Sequence, residues 1–296
     1  MKARFIFNPH SGSNRRNPHL HLRAQSFIAE NDWDATVVAT ERPRHATELA
    51  RRAVDEGCSL VVAIGGDGTM NEVASALVGT AATFGLIPCG SGNGLGRHLG
   101  IRHPGRGAFS TLLSGRPLAI DTGLVNGGPF FCAAGLGFEA VVAYRFALRS
   151  SRGFTGYLAS GLGAWRSHVI ERCTIHHAAG RDEVDAFTLA ISNSSQYGND
   201  AFIAPGASVQ DGQLNLTAVP RVSLPNAIPL LWGLFRGSLY RTGSVRHWVG
   251  EHFVIERSKP GWIHTDGEPR AGVARLEISV RPRSLRILVP ADQLVT

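Results

Sequence analysis

The chain has 296 residues, of which 43% are apolar, and it carries a formal net charge of +7. This length and apolar content suffice for two domains with real cores, and they count against an intrinsically disordered protein. The positive charge favours an anionic partner such as a nucleotide, a nucleic acid or an acidic membrane surface, but it does not distinguish among these three. Nearly all of the basic side chains are arginines, since lysine occurs only as Lys2 and Lys259.

Cysteine spacing and apolar run length count against two further classes of protein. The cysteines Cys58, Cys89, Cys132 and Cys173 show neither CxxC metal spacing nor a disulfide framework, which favours a reducing, cytoplasmic setting. The polar N-terminal sequence predicts no targeting segment. The longest candidate for membrane contact, residues 228–235, is far shorter than the roughly 20 residues that a membrane-spanning helix needs.

The first hundred residues alternate strand and helix patterns, which is typical of βα units on a parallel sheet. Short apolar runs predict four strands, and helical spacing between turn residues predicts three helices. The strands are RFIFNP (4–9), DATVVAT (34–40), SLVVAIGG (59–66) and TFGLIP (83–88), and the helices lie at 18–31, 45–57 and 69–78.

From about residue 116, strand-like segments follow one another with turn residues between them, which predicts a largely antiparallel β domain. Two helical patterns, at 138–168 and 224–240, interrupt these segments. The segments are 117–127, 129–137, 184–194, 212–220, 251–258, 261–269, 274–280 and 284–290. The prediction is therefore α/β + β: an α/β domain with a parallel sheet at 1–117 and a mainly antiparallel β domain at 118–281. We expect the last strand, within 282–296, to return to the first domain.

Three glycine-rich loops follow the first, third and fourth predicted strands: NPHSG (8–12), GGDGT (65–69) and GSGN (90–93). In a parallel sheet these loops lie at one edge, where ligands bind. Glycines let backbone N–H groups approach a bulky anion, and the helix starts behind them add a positive dipole. The pattern predicts a polyphosphate site, although each loop alone is also explained as a tight turn. G-x-G-x-x-G is absent because Asn71 and Leu95 stand where a third glycine is needed, and a Walker A loop is absent because both lysines lie elsewhere.

Asp67 is the one carboxylate in these three loops. A carboxylate in a phosphate-binding loop repels the ligand unless a cation lies between them, so Asp67 predicts Mg²⁺. The alternative is an ordinary helix N-cap aspartate.

The motifs NPHSG, GGDGTMNEV (65–73) and IPCGSGNGLGRHLGI (87–101) resemble, in their order and spacing, the catalytic domain of diacylglycerol kinases, sphingosine kinases and bacterial soluble lipid kinases. IDTG (120–123), AGLGFEA (134–140), APGASVQDGQLNL (204–216) and HTDGEP (264–269) follow in the family's order, so the resemblance runs from about residue 4 to residue 289. GGDGT alone also resembles NAD kinases. The resemblance implies an NAD-kinase/diacylglycerol-kinase-like nucleotide-binding domain followed by a β-rich lipid- or acceptor-binding domain.

The resemblance also implies which residues bind the cofactors, ATP and Mg²⁺. Asp67 would hold the catalytic Mg²⁺, and Thr40 would lie beside the nucleoside. The residues implied to bind the nucleotide are Asn8, Ser11, Gly12, Thr40, Gly65, Gly66, Asp67, Gly68, Thr69, Glu72, Gly90, Ser91 and Asn93.

Catalysis needs a base oriented on the attacking hydroxyl. The resemblance implies catalytic roles for Asp67, Asp121, Asp266 and Glu268, and it places the HTDGEP turn across a cleft from GGDGT. Either Asp266 or Glu268 would accept the hydroxyl proton. Without the resemblance, DGE is an ordinary hairpin turn and Asp121 a turn residue at a strand end.

A second, structural Mg²⁺ site is implied at VQDGQL (209–214). Its ligands would be the Asp211 side chain and the carbonyls of Ser208 and Gln213. An Asp-Gly hairpin turn is the alternative explanation.

We therefore predict an ATP- and Mg²⁺-dependent lipid kinase of phospholipid metabolism, with diacylglycerol as the first acceptor and a sphingosine- or ceramide-type lipid as the second. A kinase for a soluble acceptor such as NAD, or a non-catalytic nucleotide- or lipid-binding regulator, are the alternatives. We expect a cytoplasmic protein in peripheral contact with the inner membrane face, without nucleic-acid partners. A homodimer is left open. Residues 226–241 could lie on a membrane or line an acyl pocket, although such a helix more often covers a sheet.

Overall fold

The computed structural model describes residues 1–15, 19–90, 92–101, 106–148, 161, 165, 170–198 and 200–292. The chain divides into two compact units. The first comprises Met1–Ile120 and Arg283–Val295, and the second comprises Asp121–Pro282.

The first unit alternates strands and helices. Its strands are β1 (Lys2–Phe7), β2 (Asp34–Ala39), β3 (Leu60–Gly65), β4 (Thr83–Pro88) and the start of β5 (Arg116–Val125). Its helices are α1 (His19–Glu30), α2 (His45–Asp55), α3 (Asp67–Leu77), α4 (Gly94–His98) and α5 (Arg106–Ser114). The parallel strand order β2-β1-β3-β4 explains why all six residues of β3 are buried, since helices cover both faces of such sheets. The three glycine-rich loops therefore lie at the carboxyl ends of β1, β3 and β4.

The second unit is mainly antiparallel. Its strands are β6 (Gly128–Phe130), β7 (Ala133–Gly137), β8 (Glu171–His177), β9 (Gly180–Ala186), β10 (Thr188–Ser192), β11 (Leu214–Val219), β12 (Arg246–Gly250), β13 (His252–Arg257), β14 (Gly261–Thr265), β15 (Glu268–Gly272) and the beginning of β16 (Arg275–Val289), which enters the first unit at Arg283. Its helices are α6 (Phe138–Ala147) and α7 (Leu224–Arg236). One sheet has the order β12-β11-β10-β7-β14-β15, and β16, β13, β8 and β9 pair in that order in another. Apolar residues from both sheets form one core, in which Phe130, Phe253 and Ile278 are fully buried.

The predicted fold class is confirmed: a parallel α/β unit and a mainly antiparallel β unit are both present. The segment 184–194, predicted as one strand, is two, because β9 ends at Ala186 and β10 begins at Thr188 in a different sheet. A continuous apolar run does not reveal such a change of sheet.

The segments 274–280 and 284–290, predicted as two strands, form the single strand β16. Pro282 and Arg283 resemble a turn in sequence, and Arg283 does have a positive φ of 48°. Arg283 lies between the stretch that pairs with β13, Arg275–Ser279, and the residues that pair with β4, Arg286 and Ile287. The strand also pairs with β5 and continues through this position.

The two predicted helical patterns in the second half are found in part. Helix α6 covers the beginning of 138–168, and most of the remainder of that prediction lies outside the described residues. Helix α7 covers most of 224–240 and is followed by a 3₁₀ turn at Leu239–Thr242. None of the helices in the described ranges combines the length and the apolar character that crossing a membrane requires.

Candidate active site

Hydrogen bonds tie the three glycine-rich loops of the first unit together. The Ser11 hydroxyl accepts a bond of 2.6 Å from the Gly66 N–H, and the Asn8 side-chain amide donates to Thr69 Oγ1 at 2.8 Å. The Asp67 carboxylate accepts bonds from the N–H groups of Asn93 and Gly94, at 2.9 and 3.0 Å. The structure thus brings together residues from all three predicted loops.

Glycines at these positions permit a backbone approach that no other residue would allow. A Cβ on Gly12, whose φ is +43°, would lie 1.9 Å from the Cys89 carbonyl oxygen. A Cβ on Gly90 would lie 2.8 Å from the Gly66 Cα, and one on Gly65 would lie 2.4 Å from the Thr69 Cβ. The bare backbone that could hold phosphates is therefore built by contact between the loops as well as by turn geometry.

The Asp67 carboxylate caps a neighbouring helix rather than the helix that Asp67 begins, and its contact with Mg²⁺ stays a prediction. Asp67 is the first residue of α3, and its carboxylate caps the start of α4 by accepting two backbone N–H groups. Mg²⁺ at phosphate sites often takes only one or two carboxylates, together with phosphate oxygens and water. No group of three His, Cys, Asp or Glu residues within the described ranges could hold a metal ion by itself. Asp67 therefore fits a Mg²⁺ shared with bound phosphates, rather than a metal site made of protein ligands alone.

Asn93 closes the loop after β4. Its side chain accepts a bond from the Gly90 N–H at 2.9 Å and donates to the Gly90 carbonyl at 2.7 Å. Asn93 has a positive φ of 53°, which asparagine tolerates better than most residues. Ser91, which was predicted to bind phosphate, lies outside the described residues.

Two other predicted nucleotide-binding residues lie beside these loops. The buried Thr40 follows β2, and its N–H donates to the Phe7 carbonyl at 2.8 Å. The Glu72 carboxylate accepts bonds from the N–H groups of Arg44 and Ala46, both at 3.1 Å. Glu72 therefore stabilises the start of α2, and its contact with a nucleotide stays a prediction.

The HTDGEP motif forms the two-residue turn between β14 and β15. Asp266 and Gly267 both have positive φ, 49° and 82°, as a type I′ turn requires. The Asp266 carboxylate accepts bonds from three consecutive backbone N–H groups, at 2.9 Å from Phe131, 2.7 Å from Cys132 and 3.2 Å from Ala133.

Glu268 differs from Asp266 in its surroundings. Its side chain is exposed, and no hydrogen bond or ion pair to another described residue holds its carboxylate. The turn therefore contains one carboxylate that is anchored to the backbone and one that is open to an incoming group.

Asp121 is fully buried near the middle of β5. Its N–H donates to the Val209 carbonyl, and its carboxylate accepts from the Gly212 N–H, both at 2.7 Å. Asp121 thus stabilises the loop that precedes β11, and its predicted catalytic role stays a prediction.

That loop contains the residues predicted to hold the second Mg²⁺. The Asp211 carboxylate accepts from the Gln213 N–H at 3.0 Å, and the Ser208 hydroxyl accepts from the Gln210 N–H at 3.2 Å. In both contacts a side chain accepts a hydrogen bond from the backbone N–H group two residues later, as in an ordinary turn. They belong to the loop between β10 and β11, which is much longer than a tight hairpin turn, so the hairpin alternative does not describe them, and the metal site stays a prediction.

The sequence predictions missed a buried polar cluster beneath the β14–β15 turn. Glu139, which is 7% exposed, accepts a hydrogen bond from the Tyr197 hydroxyl, and its carboxylate lies 3.5 Å from Nε2 of His264. Nδ1 of His264 accepts a bond from the Gly267 N–H at 3.3 Å. A Cβ on Gly135 would lie 1.6 Å from Glu139 Oε1, so the glutamate side chain needs a glycine at position 135. In the sequence, the cluster could have been recognised from this glycine in a strand followed four positions later by an acidic residue.

All four cysteines lie among the described residues and are buried thiols. Burial raises the pKa of Cys89, beside the Gly90 loop, to about 12. Cys89 therefore stays protonated at neutral pH and is not a nucleophile.

Comparisons with known proteins agree with this architecture. Residues 2–125 match the family model described as "Diacylglycerol kinase catalytic domain", and residues 133–289 match "YegS C-terminal NAD kinase beta sandwich-like domain". The chain is 27% identical to "Diacylglycerol kinase" of Bacillus subtilis (strain 168), with 99% of this chain and 97% of that protein covered. It is 30% identical to "Probable lipid kinase YegS" of Salmonella typhimurium, with 82% and 83% covered.

A solved structure described as that of diacylglycerol kinases from Bacillus anthracis str. Sterne shares the fold. It has a TM-score of 0.73 at 17% identity and covers 97% of this chain and 96% of that one. The matched domains and the named relatives show an enzyme of the lipid kinase class. The chain belongs to the diacylglycerol kinase and YegS family, which confirms the resemblance seen in the motifs.

Proposed function

We propose that this protein transfers the γ-phosphate of ATP to a lipid hydroxyl, with Mg²⁺ at Asp67 and diacylglycerol as the first candidate acceptor. The observation that carries the proposal is the β14–β15 turn, which holds one carboxylate on three backbone N–H groups and leaves the other exposed. Membership of the lipid kinase family supports the reaction class.

The proposed binding of ATP is supported by the three glycine-rich loops of the first unit, which are joined by hydrogen bonds. Helix α3 begins at Asp67, so its positive end and the bare backbone of Gly65 and Gly66 favour an anion there. Mg²⁺, when bound, would neutralise phosphate charge that the Asp67 carboxylate would otherwise repel. The Asp67 oxygens are oriented by Asn93 and Gly94, which support the side chain in one position.

We assign the proton-accepting role to Glu268 and an orienting role to Asp266. A base must present a lone pair to the acceptor hydroxyl within hydrogen-bond reach. Three N–H groups from residues 131–133 already occupy Asp266, whereas Glu268 is exposed. Asp266 therefore orients the turn, and Glu268 is the carboxylate that can meet a substrate.

The proposal is tested by Glu268→Gln, measured as transfer of labelled γ-phosphate to diacylglycerol, sphingosine, ceramide, monoacylglycerol and NAD. Loss of a general base costs on the order of 10²- to 10⁴-fold in kcat, and the unfolding temperature should not change because the side chain is exposed. Glu251→Gln, another exposed glutamate in the second unit, is the matched control and should keep full activity.

Two outcomes would reject parts of the proposal. Activity of Glu268→Gln within a few-fold of wild type would remove Glu268 as the base. In contrast, Asp266→Asn should lower the unfolding temperature as well as activity, because its amide NH₂ would face backbone N–H donors. An unchanged unfolding temperature for Asp266→Asn would contradict the orienting role.

A soluble acceptor such as NAD is the second candidate. GGDGT also resembles NAD kinases, and the family model matched by residues 133–289 is described as NAD kinase beta sandwich-like. Phosphorylation of NAD alone in the acceptor panel would favour this candidate and reject a lipid acceptor.

A further inference from the structure

Helix α7 presents a continuous apolar face to solvent. Ile228, Leu231, Trp232 and Phe235 are 74, 54, 63 and 47% exposed. Their spacing of i, i+3, i+4 and i+7 places them on one side of the helix. Isolated exposed apolar residues are common in proteins, but four adjacent ones on a helix indicate an interaction surface. We refer to these four residues as the outer face of α7.

The opposite side of α7 is packed on its own unit. Leu230 is buried in a cluster with Leu239 and Ala204, and Leu234 packs against the same cluster. A Cβ on Gly233 would lie 3.1 Å from the Leu239 Cα, so the helix lies close against the following 3₁₀ turn. The helix is therefore held in place with its outer face pointing away from the core.

Both ends of the helix are also fixed. Ser223 and Asn226 form a capping box, in which the Ser223 N–H donates to Asn226 Oδ1 at 2.7 Å. At the other end the Phe202 N–H donates to the Leu234 carbonyl at 2.8 Å. A preformed helix can bind a surface without an additional ordering cost.

The chain segment that carries the outer face has basic but no acidic side chains. Residues 220–250 contain four arginines and no aspartate or glutamate. Arg221, Arg236 and Arg241 are exposed, and the Arg236 guanidinium lies 4.6 Å from the centre of the Trp232 ring. The fourth, Arg246, forms an ion pair with Asp182 and is not counted.

This combination favours an anionic membrane over a second copy of the chain. Apolar side chains with flanking arginines and a tryptophan match the boundary between lipid headgroups and acyl chains. A twofold dimer through the same face would bring arginines near arginines, with no acidic residue of this segment to pair them.

We propose that the outer face of α7 docks the protein on an anionic bilayer, with Trp232 and Phe235 entering the interface and Arg236 and Arg241 contacting lipid phosphates. The inference rests on the proposed function, because a lipid acceptor has to be reached at a membrane. Beyond that function, the inference names the surface that contacts the membrane and states that this surface prefers negatively charged lipids.

The test is co-sedimentation of the full chain with vesicles of phosphatidylcholine, alone or mixed with phosphatidylglycerol. Wild type should bind the mixed vesicles much more strongly. Trp232→Ser with Phe235→Ser should lower the partition coefficient about tenfold or more, because two large apolar side chains no longer enter the bilayer. Arg236→Gln with Arg241→Gln should reduce binding roughly tenfold, and only to vesicles that contain phosphatidylglycerol.

Leu113→Ser is the matched control, since Leu113 is 54% exposed on α5 of the first unit. This control should bind vesicles like wild type. Unfolding temperatures of all variants should match wild type, since the changed side chains are exposed. Vesicle binding that survives the Trp232 and Phe235 changes would overturn the proposal, as would sedimentation equilibrium showing that these changes only separate a dimer.

A dispersed short-chain diacylglycerol separates this proposal from the proposed function. The α7 variants should phosphorylate it like wild type, because no docking is needed. Loss of that activity in the α7 variants would contradict a pure docking role. If no protein phosphorylates any lipid while vesicle binding still depends on α7, the proposed function fails and the docking surface stands.

Discussion

At the scale of single residues, the glycine-rich loops depend on positions where a side chain has no room. Gly12 combines a positive φ with a neighbouring backbone oxygen, so a larger residue there meets both backbone strain and a steric clash. Gly57 has a positive φ of 80° but has open space around the position of its Cβ. Comparing substitutions at Gly12 and Gly57 therefore separates the effect of backbone strain from the effect of the contact between the loops.

We expect Gly12→Ala to weaken ATP binding by tenfold or more and to destabilise the first unit by about 2 kcal/mol or more, because the Cys89 carbonyl has to move. Gly57→Ala should cost only about 1 kcal/mol, from backbone strain, and should leave ATP binding unchanged. Urea unfolding and nucleotide titration provide the measurements. Equal nucleotide affinities for the two variants would show that the approach of the loops is not required for binding.

At the scale of secondary-structure elements, side chains from one element hold the ends of another. Asp67 of α3 caps α4, and Glu72 of α3 caps α2. In the second unit Asp182 of β9 accepts bonds from Trp248 and Arg246 of β12 and contacts His177 of β8. These contacts join separate elements, two of which, β8 and β12, are not among the strands predicted from the sequence.

The contacts of Asp182 predict a pH dependence of stability. Bonds from Trp248, His177 and Arg246 lower the pKa of the Asp182 carboxyl from 3.8 to about 2. Because the folded pKa is the lower one, the stabilisation is fully present above about pH 4 and is lost as pH falls towards 2. Asp182→Asn should therefore lower the unfolding temperature at pH 7, and this difference from wild type should shrink between pH 4 and pH 2.

Thermal unfolding followed by circular dichroism across this pH range is the measurement. Asp34→Asn, at an exposed aspartate on β2, is the control and should differ little from wild type at any pH. A difference between Asp182→Asn and wild type that is the same at pH 7 and pH 2 would mean that the charge of Asp182 does not contribute.

At the scale of the whole molecule, the first unit is completed by the end of the chain. Residues Arg283–Val295 group with Met1–Ile120, and β16 pairs in parallel with β4 through Arg286 and Ile287. Leu285, Ile287 and Val289 are fully buried. A segment almost 200 residues beyond β4 is therefore part of the unit that carries the glycine-rich loops.

We expect Ile287→Ala to destabilise the first unit by about 2–5 kcal/mol, since it leaves a cavity in a core that cannot fully collapse. The adjacent Leu288 is only partly buried, so Leu288→Ala should cost less than half as much. Urea unfolding, followed with and without ATP, tests both variants. Equal costs for the two residues would contradict the burial pattern of the strand.

The sequence by itself determined the alternation of strands and helices, the change to antiparallel strands near residue 116 and the family, because apolar periodicity, turn residues and ordered motifs are local properties. It also placed the glycine-rich motifs and HTDGEP on loops and a turn, but Asp121 lies near the middle of β5 rather than in a turn at a strand end. It missed the cluster of Glu139, Tyr197 and His264, whose members meet only after folding.

The surroundings of each acidic side chain were decided only by the tertiary structure. HTDGEP shows two carboxylates two residues apart, and nothing local distinguishes them. The donors that anchor Asp266 come from residues 131–133, and those of Asp67 come from residues 93 and 94. A carboxylate becomes an anchor or stays open according to the N–H groups that fold against it, and these are contributed by residues distant in the chain.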